Sequence, residues 1–321
     1  MLLFSILINH PSGGEMQFAV YSGTNHSRLS AQRGRAAIPT LRFLPEVERL
    51  SPTCIRILGG NPGKFSLQGT NTYLLGIGPK RLLIDTGEGK PSWIAAIKRT
   101  LDEEKAYIAS AIVTHWHHDH QGGIPHLIET WPGTEIYKCQ PGNGLLNITD
   151  GQIFEVEGAS LTAAHTPGHT VDHMVLVLRE EDAMFTGDNV LGQGTAVFED
   201  LGTYMASLEK MKHLFKGRAY PGHGPVLPDG PGKIVEYIQH RRQREEQVVQ
   251  TLRSGRADAD AEGADLWTPM DLVKIIYCDV PESLYPAAAG GVVQILQKLE
   301  REGKVLSVNG DRWRLSDRSA L

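Results

Sequence analysis

One stretch of the sequence, residues 112–123, places several metal-binding side-chain types close together. It reads Ile-Val-Thr-His-Trp-His-His-Asp-His-Gln-Gly-Gly, and its His-x-His-x-Asp-His spacing contains four potential ligands: His115, His117, Asp119 and His120. An apolar run precedes them and a glycine pair follows, which predicts a strand that ends and passes its side chains to a loop. Imidazole and carboxylate ligands together suit Zn²⁺, Mn²⁺ or Fe²⁺ better than Mg²⁺ or Ca²⁺, which prefer oxygen.

Three further residues of ligand type occur downstream, each beside glycine and after a short apolar run. They are His169 in Thr-Pro-Gly-His-Thr, Asp188 in Phe-Thr-Gly-Asp-Asn and His223 in Tyr-Pro-Gly-His-Gly. Taken singly, such a residue is more often part of a turn than a ligand, and the first cluster alone is compatible with a metal-free surface turn. Their joint recurrence at predicted strand ends favours one shared metal site.

The composition is that of an ordinary globular protein. The 321 residues are 40% hydrophobic and 21% charged, with a formal net charge of −5. This length exceeds that of most single domains, so one large and one small domain are expected. The negative charge argues against broad phosphate-driven binding of nucleic acid. The local basic run at 240–244 is either a solvated helix face or a contact for an acidic carrier protein or RNA.

The cysteines predict neither a disulfide scaffold nor a thiolate zinc site. Cys54, Cys139 and Cys278 are far apart and form no Cys-x-x-Cys pair. Reduced thiols in a cytoplasmic protein are therefore expected. The apolar run at residues 1–8 is too short to span a bilayer and has no basic residue before it. No membrane association is predicted, and an organellar or secretory signal is the minor alternative.

The order of the predicted elements indicates the fold class. Residues 1–44 lack strong periodicity, so they are expected to form a poorly ordered leader. Residues 45–230 contain two successive strand-rich halves, each closed by a helix, which predicts an α/β sandwich of two sheets with helices outside. An amphipathic helix over 231–253 then connects to residues 254–321, a linker followed by a small domain.

The small domain shows helix signals followed by a hairpin. Thr-Pro-Met-Asp at 268–271 predicts a helix start, with Thr as N-cap and an acid at the third helical position. A second helix is predicted over 288–302, and Asn-Gly-Asp at 309–311 joins two short strands. This order predicts a winged-helix-like module, but a fold does not by itself give a function.

These motifs resemble those of the metallo-β-lactamase superfamily. Four further motifs accompany the His-x-His-x-Asp-His signature in the family's order. One precedes it, at 84–87 (Ile-Asp-Thr-Gly), and three follow it, at 166–169 (Thr-Pro-Gly-His), 187–188 (Gly-Asp) and 221–223 (Pro-Gly-His). The resemblance covers about residues 53–240. It implies an αβ/βα four-layer sandwich, here followed by the small winged-helix-like domain, and is much less specific for the substrate.

The resemblance, carried over to this numbering, implies a pair of divalent metal ions, first of all Zn²⁺, with Mn²⁺ or Fe²⁺ as alternatives. The first ion would be bound by His115, His117 and His169. The second would be bound by Asp119, His120 and His223, and the bridging carboxylate would be that of Asp188. Asp85 would orient a ligand, or else be a strand-end turn residue. His118, His165 and His173 are expected not to be ligands.

The implied chemistry is hydrolysis without a protein nucleophile. Two such ions about 3.5–4 Å apart share a water, lower its pKa and polarise the attacked oxygen. Asp119 would be the catalytic residue, which orients the hydroxide and then carries its proton. A thiolate leaving group has a pKa near 8.5 and departs with little protonation, so a thioester suits the site. An RNA phosphodiester loses a poorer alkoxide leaving group.

Two strings, at 69–75 and 114–123, and the C-terminal module are similar to the lactamase-like group of the superfamily. That group contains fungal thioesterases that release aromatic polyketides, such as atrochrysone carboxylic acid, and a mitochondrial endoribonuclease. Residues 78–93 look most like the thioesterases. The resemblance thus implies release of a polyketide from the acyl carrier protein of a non-reducing polyketide synthase, in anthraquinone-type secondary metabolism, with neither nucleic acid nor membrane as partner. The alternatives are a metal-dependent endoribonuclease acting on single-stranded RNA, and a nucleic-acid-binding regulator with a vestigial metal site.

Overall fold

The computed structural model describes residues 3–6, 19–22, 41–142, 144–255, 266–279 and 281–316. Two compact units divide the chain: residues 41–237 form the larger one, and residues 1–40 with 238–321 form the smaller one. Most of the predicted leader lies outside the described residues, except for the antiparallel strands β1 (Leu3–Ile6) and β2 (Ala19–Ser22) and for residues 41–44. Most of the predicted linker, residues 256–265, also lies outside them. The predicted domain limits stay predictions.

The first half of the larger unit builds a seven-stranded sheet. Its elements in chain order are β3 (Val47–Arg49), β4 (Cys54–Leu58), β5 (Asn71–Leu75), β6 (Lys80–Ile84), α1 (Pro91–Glu104), β7 (Tyr107–Val113), α2 (His118–Gln121), α3 (Ile124–Thr130), β8 (Glu135–Lys138) and β9 (Leu146–Asn147). The pairing is antiparallel up to β6 and parallel from β6 to β9. Parallel neighbours need a crossover connection, which α1 provides between β6 and β7. Consequently the residues that follow these two strands emerge at the same edge of the sheet.

The second half builds a five-stranded sheet by the same rule. Its elements are β10 (Ile153–Val156), β11 (Ala159–His165), β12 (Met174–Leu178), β13 (Ala183–Gly187), α4 (Leu201–Met211) and β14 (Ala219–Pro221), and α5 (Gly230–Arg253) follows. Strands β10 to β13 are antiparallel, whereas β13 and β14 are parallel and connected through α4. The segments that follow β13 and β14 therefore also emerge side by side.

The two sheets pack face to face through a buried apolar layer, and helices cover the outer side. The layer between the sheets includes Tyr73, Phe154 and Phe185. A second cluster lies between α1 and the first sheet and contains the fully buried Trp93. The Trp93 indole N–H donates a 3.0 Å hydrogen bond to Thr72 Oγ1, which satisfies its polar atom. Removal of such a side chain typically costs about 3–5 kcal/mol.

Close packing explains a glycine of the metal-binding motif. A Cβ atom added at Gly123 would lie 2.0 Å from the Thr86 carbonyl oxygen and 2.7 Å from the Trp93 ring. No side chain fits there without movement of backbone. The glycine therefore allows the loop that carries the histidines to lie directly against the first sheet and α1.

The C-terminal part of the smaller unit has the predicted helices followed by a hairpin. Its elements are α6 (Pro269–Ile276), α7 (Tyr285–Arg301), β15 (Val305–Val308) and β16 (Arg312–Leu315). The predicted capping box is present: the Thr268 side chain accepts from the Asp271 N–H, and the Asp271 side chain accepts from the Thr268 N–H. Helix α7 begins three residues before the predicted Ala288, because Pro286 is compatible with the first turn of a helix. Among the described residues, no helix is both long and apolar enough to cross a membrane.

Candidate metal centre

All the predicted ligands lie together at one edge of the sandwich, each after a strand. The ligand atoms form two groups, and within each group they lie within 4.8 Å of one another. The groups are His115, His117, His169 and Asp188, and Asp119, His120 and His223. Strands β7, β11, β13 and β14 deliver these side chains from positions far apart in the chain. The described structure thus brings every predicted site residue to one place, while their role as ligands stays a prediction.

The first group contains three imidazole nitrogens in mutual contact. His117 Nδ1 lies 3.0 Å from His115 Nε2 and 3.0 Å from His169 Nε2, and the two Nε2 atoms are 3.3 Å apart. Neutral imidazole has one N–H, so three mutually close nitrogens cannot all be satisfied by hydrogen bonds to one another. Nitrogens bound tetrahedrally at about 2.0–2.1 Å from Zn²⁺ are separated by about 3.3 Å. The arrangement therefore fits a shared cation.

Asp188 lies between the two groups. Its Oδ1 is 3.4 Å from His120 Nε2, and its Oδ2 is 3.3 Å from His223 Nε2 and 3.7 Å from His169 Nε2. The Oδ1 atom is buried and has no hydrogen-bond partner. A buried carboxylate oxygen without a donor is costly unless a cation compensates it. This position agrees with the predicted bridging role.

The second group places a carboxylate against two imidazoles. Asp119 Oδ2 is 3.2 Å from His223 Nε2 and 3.5 Å from His120 Nε2, and the two imidazole nitrogens are 3.3 Å apart. Burial by itself lowers the pKa of His223, but the Asp188 carboxylate and the contact with Asp119 raise it to about 9. The carboxylates thus attract positive charge to this point, and a divalent cation satisfies them as a proton does. The residues present fit a pair of metal ions.

The pKa of His115 is shifted in the direction opposite to that of His223. Burial holds the pKa of His115 well below its ordinary value, so its ring is neutral at pH 7. A neutral ring offers the lone pair that a metal ion needs. Its Nδ1 lies 3.0 Å from the Thr114 hydroxyl, which leaves Nε2 for the group.

Asp85 orients His120 and is also the strand-end turn residue. Its Oδ2 lies 2.8 Å from His120 Nδ1, so the His120 Nε2 atom is directed into the second group. Thr114 fixes the carboxylate in turn, with its N–H donating at 2.8 Å and its hydroxyl at 3.0 Å. Asp85 has φ of 59°, a left-handed conformation that Asp and Asn tolerate better than most residues. Both interpretations of this residue therefore agree with the geometry.

The remaining histidines of the motifs are not members of either group. His118 is exposed, and His165 contacts the Val171 carbonyl oxygen through Nε2 at 2.9 Å. His173 is fully buried, and its Nε2 accepts a 3.1 Å hydrogen bond from the Asp188 backbone N–H. His173 thus fixes the backbone that presents the Asp188 carboxylate.

A buried ion pair holds the loop that carries His169. Lys138 at the end of β8 contacts Asp172, and both side chains are largely excluded from solvent. Asp172 also accepts a 2.8 Å hydrogen bond from the Thr170 hydroxyl. His169 Nδ1 lies 2.8 Å from the Val197 carbonyl oxygen, so its Nε2 faces the first group. These supports were not predicted from the sequence, because they join segments that only the fold brings together.

The string Gly-Thr-Asn-Thr-Tyr at 69–73 supports the second group. The Thr70 hydroxyl donates a 3.1 Å hydrogen bond to Asp119 Oδ2. Asn71 Nδ2 donates to the carbonyl oxygens of Pro221 and Gly224, at 2.8 and 2.9 Å. These last two bonds flank His223 on both sides. In the sequence, the string at 69–73 is a run of polar side chains at the start of a buried strand, a pattern that indicates the resemblance but not these contacts.

A cavity of about 520 Å³ opens beside Asp119. Its other walls are the loop at residues 60–66, the side chains of Glu88 and Lys90, and His118. Exposed apolar residues lie instead next to the first group. They are Trp116, whose ring packs against His117, Val171, which follows His169 by two residues, and Val197, whose carbonyl oxygen contacts His169. The surroundings of the two groups thus differ in polarity.

Comparison with known proteins agrees with this geometry. A family model for the metallo-beta-lactamase superfamily matches residues 66–223, and one for the beta-lactamase associated winged helix domain matches residues 268–313. The lactamase-like protein adaB of Aspergillus niger is 47% identical over 268 residues, which cover 82% of this chain and 84% of the relative. The chain belongs to the metallo-β-lactamase superfamily. The superfamily and the winged-helix module predicted from the sequence are confirmed.

Other relatives in this superfamily are similarly close. The atrochrysone carboxyl ACP thioesterase of Aspergillus chevalieri is 47% identical over 265 residues, with 82% of this chain and 85% of the relative covered. The lactamase-like protein nscB of Arthroderma gypseum is 46% identical over 282 residues, with 85% and 89% covered.

Solved structures show the same metallo-β-lactamase fold at low identity. A metallo-beta-lactamase family protein from Thermus thermophilus superposes with a TM-score of 0.64 at 20% identity, over 84% of this chain and 100% of that one. A beta-lactamase domain protein from Burkholderia ambifaria gives 0.69 at 16% identity, over 84% and 93%. At these identities the likeness supports the fold alone.

Proposed function

We propose that this superfamily hydrolase cleaves the thioester between an aromatic polyketide and the acyl carrier protein of a non-reducing polyketide synthase. The product would be the free acid of an anthraquinone-type secondary metabolite. The convergence of the predicted ligands into two contiguous groups carries the proposal of a metal-dependent hydrolase. The relative whose name is atrochrysone carboxyl ACP thioesterase supports the choice of a thioester.

In this proposal the two groups hold two divalent ions, expected to be Zn²⁺, with Mn²⁺ or Fe²⁺ as alternatives. The proposed ligands are the predicted residues: His115, His117 and His169 for the first ion, Asp119, His120 and His223 for the second, and Asp188 between them. When bound, the ions would supply hydroxide at neutral pH and a Lewis acid for the thioester carbonyl oxygen.

Asp119 is the proposed catalytic side chain. Burial by itself would raise its pKa, but the contact with His223 and the neighbouring charge of His120 hold the pKa of Asp119 below its usual range. Its carboxylate is therefore an acceptor at neutral pH and orients the attacking water by a hydrogen bond. The Thr70 hydroxyl donates a 3.1 Å hydrogen bond to the Oδ2 atom and holds the carboxylate in place. A thiolate leaving group needs little protonation, so no stronger acid is required.

The surroundings of the site favour an apolar acyl group over an RNA strand. The exposed Trp116, Val171 and Val197 beside the first group offer apolar surface to a planar aromatic acid. A site for single-stranded RNA combines stacking side chains with a groove of basic residues along the backbone. The basic side chains that line the described cavity are Lys64 and Lys90, and Lys90 pairs with Glu88 at 2.9 Å. This charge is small for a polyanion.

A parallel assay tests the proposed function. Metal-loaded protein is incubated with a carrier-bound aromatic polyketide and, separately, with single-stranded RNA, each with and without a chelator. We expect mass spectrometry to show the free acid and the free carrier thiol, chelator to stop the release, and the RNA to stay intact. Cleavage of RNA with an intact thioester would instead identify the endoribonuclease alternative. Elemental analysis should find about two transition-metal equivalents per chain.

The proposed partners follow from this substrate. They are the acyl carrier protein and its polyketide, with neither nucleic acid nor membrane. The predicted location is the cytoplasm, where the separated thiols of Cys54, Cys139 and Cys278 would stay reduced.

A further inference from the structure

One lysine on the wall of the cavity beside Asp119 has no carboxylate contact among the described residues. Lys64 lies on its wall, half-buried, with Nζ 5.3 Å from the centre of the Phe65 ring. No acidic side chain of the described residues contacts Lys64, whereas the neighbouring Lys90 is paired with Glu88. A cation without an anionic partner on the wall of a cavity favours an anionic ligand group there.

The loop that carries Lys64 is fixed by its own hydrogen bonds. Asn61 Oδ1 accepts from the Thr70 N–H at 2.9 Å, and the Asn61 carbonyl oxygen accepts from the Ser66 hydroxyl at 2.5 Å. Gly63 N–H donates to the Leu67 carbonyl oxygen at 3.1 Å, which closes the loop on itself. A preformed loop loses little conformational entropy when a ligand binds, so it is suited to recognition.

The cavity and the exposed apolar side chains adjoin different groups of the candidate centre. Asp119 of the second group lines the cavity, whereas Trp116, Val171 and Val197 lie beside the first group. A thioester has an acyl half and a thiol half, which extend in different directions from the carbonyl carbon. With the apolar acyl group beside the first group, the thiol arm of the substrate extends into the cavity.

We propose that this cavity binds the phosphopantetheine arm of the carrier protein, with the phosphate at Lys64 and the apolar part of the arm against Phe65. The inference rests on the proposed thioesterase function and extends it to the thiol half of the substrate. A volume of about 520 Å³ lies within the range of small-molecule sites. Lysine binds phosphate as a point charge and needs no fixed geometry, which suits a flexible arm.

Three thioesters of one aromatic acid test this assignment, because they differ only in the thiol: N-acetylcysteamine, pantetheine and 4′-phosphopantetheine. Lys64→Ala should lower the ratio of kcat/KM for the phosphopantetheine thioester to kcat/KM for the N-acetylcysteamine thioester by about tenfold, the lower end expected for a hydrogen bond to a charged group. Lys98→Ala removes an exposed lysine of α1 and should leave the wild-type ratio. Equal ratios in the wild type and Lys64→Ala would overturn the proposal.

Binding provides a readout that does not need turnover. The S-methyl thioether of 4′-phosphopantetheine cannot be hydrolysed, and calorimetry should show that it binds the wild type about tenfold more tightly than Lys64→Ala. The thioether of pantetheine, which lacks the phosphate, should bind both proteins alike. Failure of the wild type to cleave any of the thioesters would refute the proposed function, whereas equal binding of the phosphorylated thioether to both proteins would refute the subsite alone.

Discussion

Replacement of Asp85 by Asn tests how far the metal centre depends on a residue outside the ligand set. Asp85 is buried, and its Oδ2 lies 2.8 Å from His120 Nδ1. Asparagine has almost the same shape and tolerates the φ of 59° at this position, so the backbone is not strained by the change. The substitution removes one negative charge and keeps the size of the side chain.

The expected loss of metal affinity follows from the hydrogen bonds of the Asp85 carboxylate. Asn keeps an acceptor for the Thr114 N–H, but it then presents its NH₂ group to His120 Nδ1, which must itself be a donor when Nε2 binds a metal ion. Loss of a hydrogen bond to a charged group costs about 1.5–3 kcal/mol. At 1.4 kcal/mol per tenfold, the affinity of the second group for its ion should fall about 10–100-fold.

The assay is competition with a chromophoric zinc chelator, which resolves two successive affinities. We expect one affinity to fall in Asp85→Asn and the other, which belongs to the first group, to stay close to that of the wild type. Asp102→Asn is the matched control, because Asp102 is exposed on α1. A folded Asp85→Asn protein that keeps both wild-type affinities would refute the argument that Asp85 directs His120.

Three other changes have defined outcomes. Thr70→Val removes the donor to Asp119 and should lower kcat about 10–100-fold with little change in KM, and Thr70→Ser should restore most of the rate. Asp119→Ala should abolish thioester hydrolysis while the circular dichroism and the melting temperature of the metal-free protein stay near those of the wild type. Glu181→Gln should lower stability at pH 7, and this difference should shrink as the pH falls below the ordinary carboxyl pKa of about 4.5.

The sign of the Glu181 effect follows from its partners. Burial alone would raise the pKa of Glu181, but hydrogen bonds from Ser51, Tyr220 and Thr53 hold it below the usual range. A carboxyl whose folded pKa is depressed contributes stability above its unfolded pKa and loses it as the pH falls through the folded value. Denaturant unfolding at several pH values measures this. A stability difference that does not change with pH would contradict the role of Glu181. An active Asp119→Ala protein would contradict the catalytic role of Asp119, and a fully active Thr70→Val protein would contradict the role of Thr70.

The positions of the proposed ligands were predictable because local sequence determines them. Each follows an apolar strand run, and His169, Asp188 and His223 follow glycine directly. Two parallel pairs of strands then bring these loops to one edge, a consequence of the crossover connections. The fold class follows from the same periodicity, and the helix capping box at Thr268 is a local signal as well.

The supports of the site were not predictable in the same way. Asn71 and Pro221 are 150 residues apart, and their contact depends on which loops face each other across the two sheets. The ion pair of Lys138 and Asp172 likewise joins the two halves of the sandwich. The short edge strand Val47–Arg49 has three residues, too few for a recognisable alternation. These features depend on contacts between segments far apart in the chain, and no short window of sequence shows such contacts.

Each group of proposed ligands draws on both halves of the larger unit. His115 and His117 meet His169, and Asp119 meets His223, so neither half alone has a complete group. A metal ion at a free concentration of 100 times its dissociation constant would add about 2.7 kcal/mol to the free energy of unfolding. Because chains without ions would unfold and be degraded more often, the supply of metal in the cell would set not only the activity of this protein but also its lifetime.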